Sequence, residues 1–266
     1  MINPSMPQTR PKHAAWIAGL VVLAAMPLLG ATRTVHVFVA LADNQHQGII
    51  PVAARLGNGD DPERNLYWGS AYGVRTFFVR SPDWKLITQQ SNPKPAVLER
   101  CIFQHRSQDV YLVADAYRGS EIKQALMDFF DAAGAMTPEK IVVDTKGSTL
   151  AAGGAANLVA YVGHDGLMDF ELPRFPKNQN NGTRQAIILA CASKQYFSAP
   201  LRASGAHPLL WTTNLMAPEA YTLKGALDGW IAGESDQQVR ERAAAAYHQY
   251  QKCGLAAARR LFVTGW

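Results

Sequence analysis

A thiol and an imidazole together make a nucleophile and its proton carrier, and this chain ends two apolar runs in one of each. Leu158-Val159-Ala160-Tyr161-Val162-Gly163 leads to His164-Asp165-Gly166. Ala186-Ile187-Ile188-Leu189-Ala190 leads to Cys191-Ala192-Ser193. An ordinary thiol is mostly protonated at neutral pH, and the thiolate is the attacking form. A neighbouring imidazole takes that proton or holds the thiolate as an ion pair. The small residues after Cys191 leave room around the sulfur. Backbone N–H groups of Gly166 and Cys191 are candidates to cradle an oxyanion, a contribution that is often the largest in catalysis. Taken singly, His164 also fits a hydrogen-bonded turn and Cys191 a small core residue. The pair, one at each run's end, is what points to chemistry.

Short apolar runs bounded by glycine and polar residues predict strands buried on both faces, as in a parallel sheet. Ligands of open parallel sheets bind beyond the carboxyl ends of the strands, which is where both residues fall. Further strands are expected over 34–42, 109–114 and 208–213, with shorter ones at 75–79, 84–88 and 141–143. Residues 96–105 fit neither pattern. Apolar spacing predicts helices over 120–133 and 217–232, and over 236–251 with Ser235 as its cap. Residues 193–203 read as helix or loop, 147–156 as a small-residue turn or short helix, and 255–263 as helix or final strand. The stretch 49–92 is dense in Gly, Asn, Asp and Pro and predicts an elaborated loop near the site. Alternating strands and helices give the α/β class with a mostly parallel central sheet.

The chain has 266 residues. Arg10 and Lys12, then an apolar run over 14–29, then Leu29-Gly30-Ala31 follow the order of a secretory signal peptide. An uncleaved membrane anchor is the alternative. Either reading places the single domain, 32–266, outside the cytoplasm, secreted or periplasmic. Contact with a membrane is expected only if that segment stays attached. The formal net charge of +5 falls to +3 without Arg10 and Lys12. So small and scattered an excess gives no expectation of nucleic acid. Cysteines number three, and an oxidising compartment favours pairing. The economical arrangement bridges Cys101 to Cys253 and leaves Cys191 free; three unpaired buried thiols are the alternative. The histidines show no metal-ligand spacing, so no metal or other cofactor is expected. Asn181-Gly182-Thr183 fits both a glycosylation sequon and a turn.

The apolar run ending in His-x-Gly, followed by one ending in Ala-Cys-x-Ser, resembles the clan CD cysteine peptidases, which include caspases, gingipains, separases and CHAT-domain peptidases. The residues carrying the likeness are Val159 to Gly163 with His164 and Gly166, and Ile187 to Ala190 with Cys191 and Ser193. The run at Leu209-Leu210-Trp211 and the helix after it look like the next strand and helix of that fold. The resemblance implies a caspase-like three-layer sandwich with helices on both faces of the sheet. It also implies His164 as general base or proton donor and Cys191 as nucleophile, with Gly166 and Cys191 as oxyanion donors. Asp165 stands where the family's glycine directly follows the histidine. Leu189 stands where caspases carry a polar substrate contact, so a preference for aspartate is not implied.

In such proteins, loops after the first strand and after the cysteine strand build the specificity pocket. Asp43, Asp60 and Asp61 lie in the first of these and would favour Arg or Lys in a substrate, as in gingipains and clostripain-like enzymes; a solvated turn is the alternative. Thr213 and Asn214 end a strand on the same rim and are further candidates for substrate contact. The expected function is an exported cysteine endopeptidase acting on a peptide or protein through a thioester acyl-enzyme. A catalytically inactive binding or scaffold domain with the same fold, or a thiol hydrolase or transferase for a non-peptide acyl group, are the alternatives.

Overall fold

The computed structural model describes residue 1 and residues 31–143, 147–179 and 184–266. The proposed signal segment, apart from its two end residues, and the sequon therefore lie outside the described residues. Among the described residues, ten strands are arranged in two sheets, with six α-helices. In chain order these are β1 (Arg33–Ala40), α1 (Val74–Arg80), β2 (Trp84–Lys94), β3 (Val97–His105), β4 (Val110–Tyr117), α2 (Ile122–Ala133), β5 (Pro138–Val142) and β6 (Thr149–Gly153). Then come β7 (Leu158–Val162), β8 (Gln185–Leu189), α3 (Ser193–Ser204), β9 (His207–Thr212), α4 (Ala220–Ile231), α5 (Asp236–Gln251), α6 (Leu255–Leu261) and β10 (Phe262–Val263).

The main sheet has the order β10-β9-β8-β7-β1-β4-β3-β2. Its five central strands run parallel, and β10, β3 and β2 pair antiparallel at the edges. Strand periodicity sorts the side chains into two cores. Val35, Val37 and Val39 of β1, Leu158, Ala160 and Val162 of β7, and Ile187 and Leu189 of β8 face the layer that holds α1, α4 and α5. Phe38, Val159, Tyr161, Ala186 and Ile188 face α2 and α3 on the opposite side. Burial on both faces explains why β7 and β8 carry no polar alternation. The result is an α/β architecture with helices on both faces of a mostly parallel sheet.

Several elements differ from the expectation. Residues 75–79 belong to a helix, α1, rather than a strand. Their β-branched and aromatic composition suggests extension, but Val74 and Phe78, one helical turn apart, are its two buried residues. Residues 147–156 hold a strand, β6, that pairs with β5 in a separate two-stranded ribbon. Leu150 and Ala152 of β6, with Ile141 of β5, cover Ile102 and Val113 of the main sheet. The ambiguous stretch 96–105 is β3, and residues 255–263 contain both a helix and a strand. In α5 the Ser235 side chain and Gln238 form a reciprocal capping box.

The Cys101–Cys253 bridge does not form; all three cysteines are free. Cys101 is buried on β3, near one end of the main sheet, where its thiol donates to Glu99 at 3.3 Å. Cys253 is exposed between α5 and α6, which pack at β9 and β10, the other end. Parity of the count suggested the bridge, but its two halves lie toward opposite ends of the main sheet. Beneath the ribbon lies a buried ionic cluster. Arg100 clamps Asp115 with two hydrogen bonds of 2.5 Å. The Gly153 N–H donates to His36 Nδ1, so His36 Nε2 carries the proton and donates to Asp115 at 3.2 Å.

Candidate active site

Strands β7 and β8 are parallel neighbours, and Val162 pairs with Leu189. His164 and Cys191 each lie two residues beyond that pair, so register carries both to the same rim of the sheet. Adjacent strands lie about 4.8 Å apart, close enough for side chains at their ends to meet. His164 and Cys191 line one cavity of about 260 Å³.

Each residue is held by its own strand-end turn. Gly163 has φ +153, and a Cβ there would stand 2.9 Å from the Ala40 carbonyl oxygen, so glycine permits the close pass beside β1. The Gly163 N–H donates to Leu189 O and ties the two strand ends together. His164 is nearly buried, at 8 % exposure. Its Nε2 lies 2.7 Å from Asp169 Oδ2, and the Tyr161 hydroxyl donates to its carbonyl at 2.8 Å. A carboxylate only accepts, so Nε2 bears the proton and Nδ1 carries the free lone pair.

Past Cys191 the chain turns sharply. Ala192 is left-handed, at φ 44, and directly precedes α3. A non-glycine residue in that region is uncommon, and such strain gathers at functional sites. Ser193 anchors the turn: its hydroxyl accepts from the Thr212 N–H at 3.0 Å and reaches the Ile188 carbonyl at 3.3 Å. The Met216 N–H points at the Cys191 sulfur, 3.4 Å away. Burial raises the thiol pKa above its ordinary value; the bond network at Met216 pulls the other way, and the Asp165 carboxyl adds to the rise. The resting group is therefore a neutral thiol.

Asp165 explains the departure from the His-Gly pattern. Its side chain accepts from the Leu167 N–H at 3.0 Å and caps a short 3-10 turn, Gly166–Met168. It has no exposed surface, and its Oδ2 has no hydrogen-bond partner. Burial raises its pKa to about 7. The Gly166 N–H donates to the His164 carbonyl at 3.1 Å, so the expected oxyanion role of Gly166 is corrected: that donor is spent. Phe170 packs over Gly166 closely enough to leave no room for a Cβ.

The expected acidic pocket is corrected as well. Asp43 is buried, accepts from the Gln45 and His46 N–H groups, and pairs with the His46 ring at 2.9 Å. It shapes its own turn, with Gly59 and Gly119 packed against it. Asp60 pairs with Arg118, and Asp61 with Arg64 at 2.8 Å. None of the three lines the cavity that holds His164 and Cys191. Thr213 bonds the Arg260 carbonyl at 2.9 Å, and with Asn214 it lines a separate cavity of about 440 Å³. The two cavities share Leu215.

Sequence reasoning missed Asp169, whose Oδ2 also accepts the Gly48 N–H at 2.9 Å. That bond links the loop wall of the cavity to the partner of His164. The missed wall residues Ile49, Ile50, Met168 and Met216 gave no signal except apolar character. Among the aromatic residues of the long loop, Tyr67 lines the cavity, whereas Trp68 is fully buried and Tyr72 packs on Tyr221 and Tyr250. Among the described residues, no group of three or more His, Cys, Asp or Glu is placed to hold a metal ion. Comparison with protein-family models, curated proteins and solved structures finds no match to the chain.

Proposed function

We propose that the chain is a cysteine-dependent endopeptidase of caspase-like fold, exported from the cytoplasm, in which Cys191 is the nucleophile and His164 the proton carrier. The observation that carries this reading is the register of β7 and β8, which brings an imidazole and a thiol to one rim and into one cavity. His164 Nδ1 takes the thiol proton as sulfur attacks the peptide carbonyl carbon. The C–N bond then breaks, and the same nitrogen returns the proton to the leaving amine. Water, deprotonated by His164, next attacks the thioester; the C–S bond breaks, and the proton passes to sulfur. Asp169 keeps the ring in the tautomer this requires. With the Gly166 donor spent, the N–H of Cys191, which has no acceptor among the described residues, is the oxyanion donor.

Cys191→Ala is expected to abolish cleavage of a peptide library while leaving the circular dichroism spectrum and unfolding midpoint unchanged. Cleavage by the variant at the parent's rate would refute the reading. One observation favours a second reading, a binding domain without turnover: burial and Asp165 both hold the thiol protonated. In that case the parent chain, like the variant, cleaves nothing in the library.

A further inference from the structure

The cavity beside Cys191 is bounded by apolar side chains. Ile49, Ile50, Tyr67, Met168, Met216 and Pro218 make its walls. Among the described residues, no Asp, Glu, Lys or Arg side chain lines it. The nearby carboxylates are committed elsewhere: Asp169 to the His164 ring and the Gly48 N–H, Asp43 to His46 and its turn, Asp60 to Arg118, Asp61 to Arg64. Asp165 has no exposed surface and does not line the cavity, so it offers nothing to a basic side chain. A charged group entering this cavity would lose water and meet no uncommitted counter-charge in its lining, which costs several kcal/mol.

The rim adds a second observation. Ile50 is 83 % exposed, Leu215 62 % and Met168 44 %, so three large apolar side chains stand in water around one opening. Apolar surface gathered around an opening marks a site that a ligand covers. The wall at Gly48 to Ile50 is tied through the Gly48 N–H to Asp169, and so to His164. A side chain pressed against Ile49 and Ile50 therefore lies against the loop that shares its anchor with the proton carrier.

We infer that this cavity selects substrates by an uncharged, apolar residue next to the scissile bond, an aliphatic side chain or methionine, and that Ile50 on its rim is a determinant of that choice. The inference rests on the proposed peptidase reading and replaces the basic preference expected from the acidic loop.

The test uses the full chain and tripeptidyl acyloxymethyl ketones that differ only in the residue beside the reactive group: Leu, Met, Arg or Asp. Labelling of Cys191 is followed by the mass of its own proteolytic peptide, which separates it from the exposed Cys253, with iodoacetamide as the control for a reactive thiol. The Leu and Met probes are expected to label about 100-fold faster than Arg or Asp, the scale of leaving one charge unpaired. Ile50→Glu, at an exposed position that the core does not need, is expected to slow Leu labelling about 10-fold and to speed Arg labelling. Arg or Asp labelling fastest, or equal rates for all four, would overturn the inference and leave the peptidase reading standing. Iodoacetamide labelling without labelling by any peptidyl probe would remove the peptidase reading and the inference with it.

Discussion

Asp165 is a carboxyl group with no exposed surface, one oxygen capping a turn and the other without a partner. Its folded pKa is raised to about 7, with burial as the main cause. In the unfolded chain an aspartate ionises near pH 3.9. Below pH ~4 the group is protonated in both states and has no effect on their balance. Between about pH 4 and 7 the unfolded chain releases the proton and the folded chain keeps it, so stability falls as pH rises. Three pH units at 1.36 kcal/mol each give a loss of about 4 kcal/mol, complete once pH passes the folded pKa. Asp165→Asn removes that dependence, and its amide oxygen can still accept the Leu167 N–H. Urea unfolding of parent and variant from pH 4 to pH 8 isolates the effect, because the other titrating groups cancel in the difference. The variant is expected to gain on the parent by up to about 4 kcal/mol across that window. Parallel curves, or a variant that loses ground as pH rises, would refute the burial argument. The same substitution removes a negative charge that raises the Cys191 pKa. Alkylation of Cys191 by iodoacetamide at pH 7 should therefore be faster in the variant.

Two other perturbations test the site and the scaffold. Asp169→Ala should lower kcat by about 100-fold, the low end of what general acid–base catalysis contributes. It should also raise KM, since the Gly48 N–H loses its acceptor; Asp169→Asn should restore KM more than kcat, and equal rescue of both would argue against a positioning role. Arg100→Ala leaves Asp115 buried without its bidentate partner and should cost about 3–5 kcal/mol in urea unfolding. A cost under about 1 kcal/mol would mean that His36 alone satisfies the carboxylate.

The parts of this fold legible in the sequence are those where a single periodicity dominates. β7 and β8 are uninterrupted apolar runs because both faces of the sheet are covered, and their ends are marked by the first reactive polar residue. α5 announces itself through Ser235 and Gln238, whose spacing matches the cap they form. Where composition and packing disagree, composition misleads. α1 is rich in residues that favour strands, yet the core takes only Val74 and Phe78 from it. β6 is made of small residues that read as a turn, and only its pairing with β5 makes it a strand. The acidic loop was misread because sequence shows a charge without showing its partner: Arg118 lies far from Asp60 along the chain, and His46 answers Asp43 only once the turn has formed. Asp169 escaped for a related reason, since five residues and a 3-10 turn separate it from the ring it orients.

The raised thiol pKa and the apolar cavity belong to one physical arrangement. A preformed thiolate would be open to any small electrophile or oxidant that reached it. Burial keeps Cys191 protonated, so on the proposed peptidase reading the nucleophile is made when the proton moves to His164. That transfer would be productive only with a carbonyl carbon already in place, because the charge leaving sulfur then passes to an oxygen facing the Cys191 N–H. A substrate side chain seated against Ile49 and Ile50 would expel water from the same space and strengthen that donor. The binding energy of an apolar residue is thereby realised where the charge moves. A substrate without that residue is expected to lose kcat as well as raise KM, a split that a plain hydrophobic anchor would not produce.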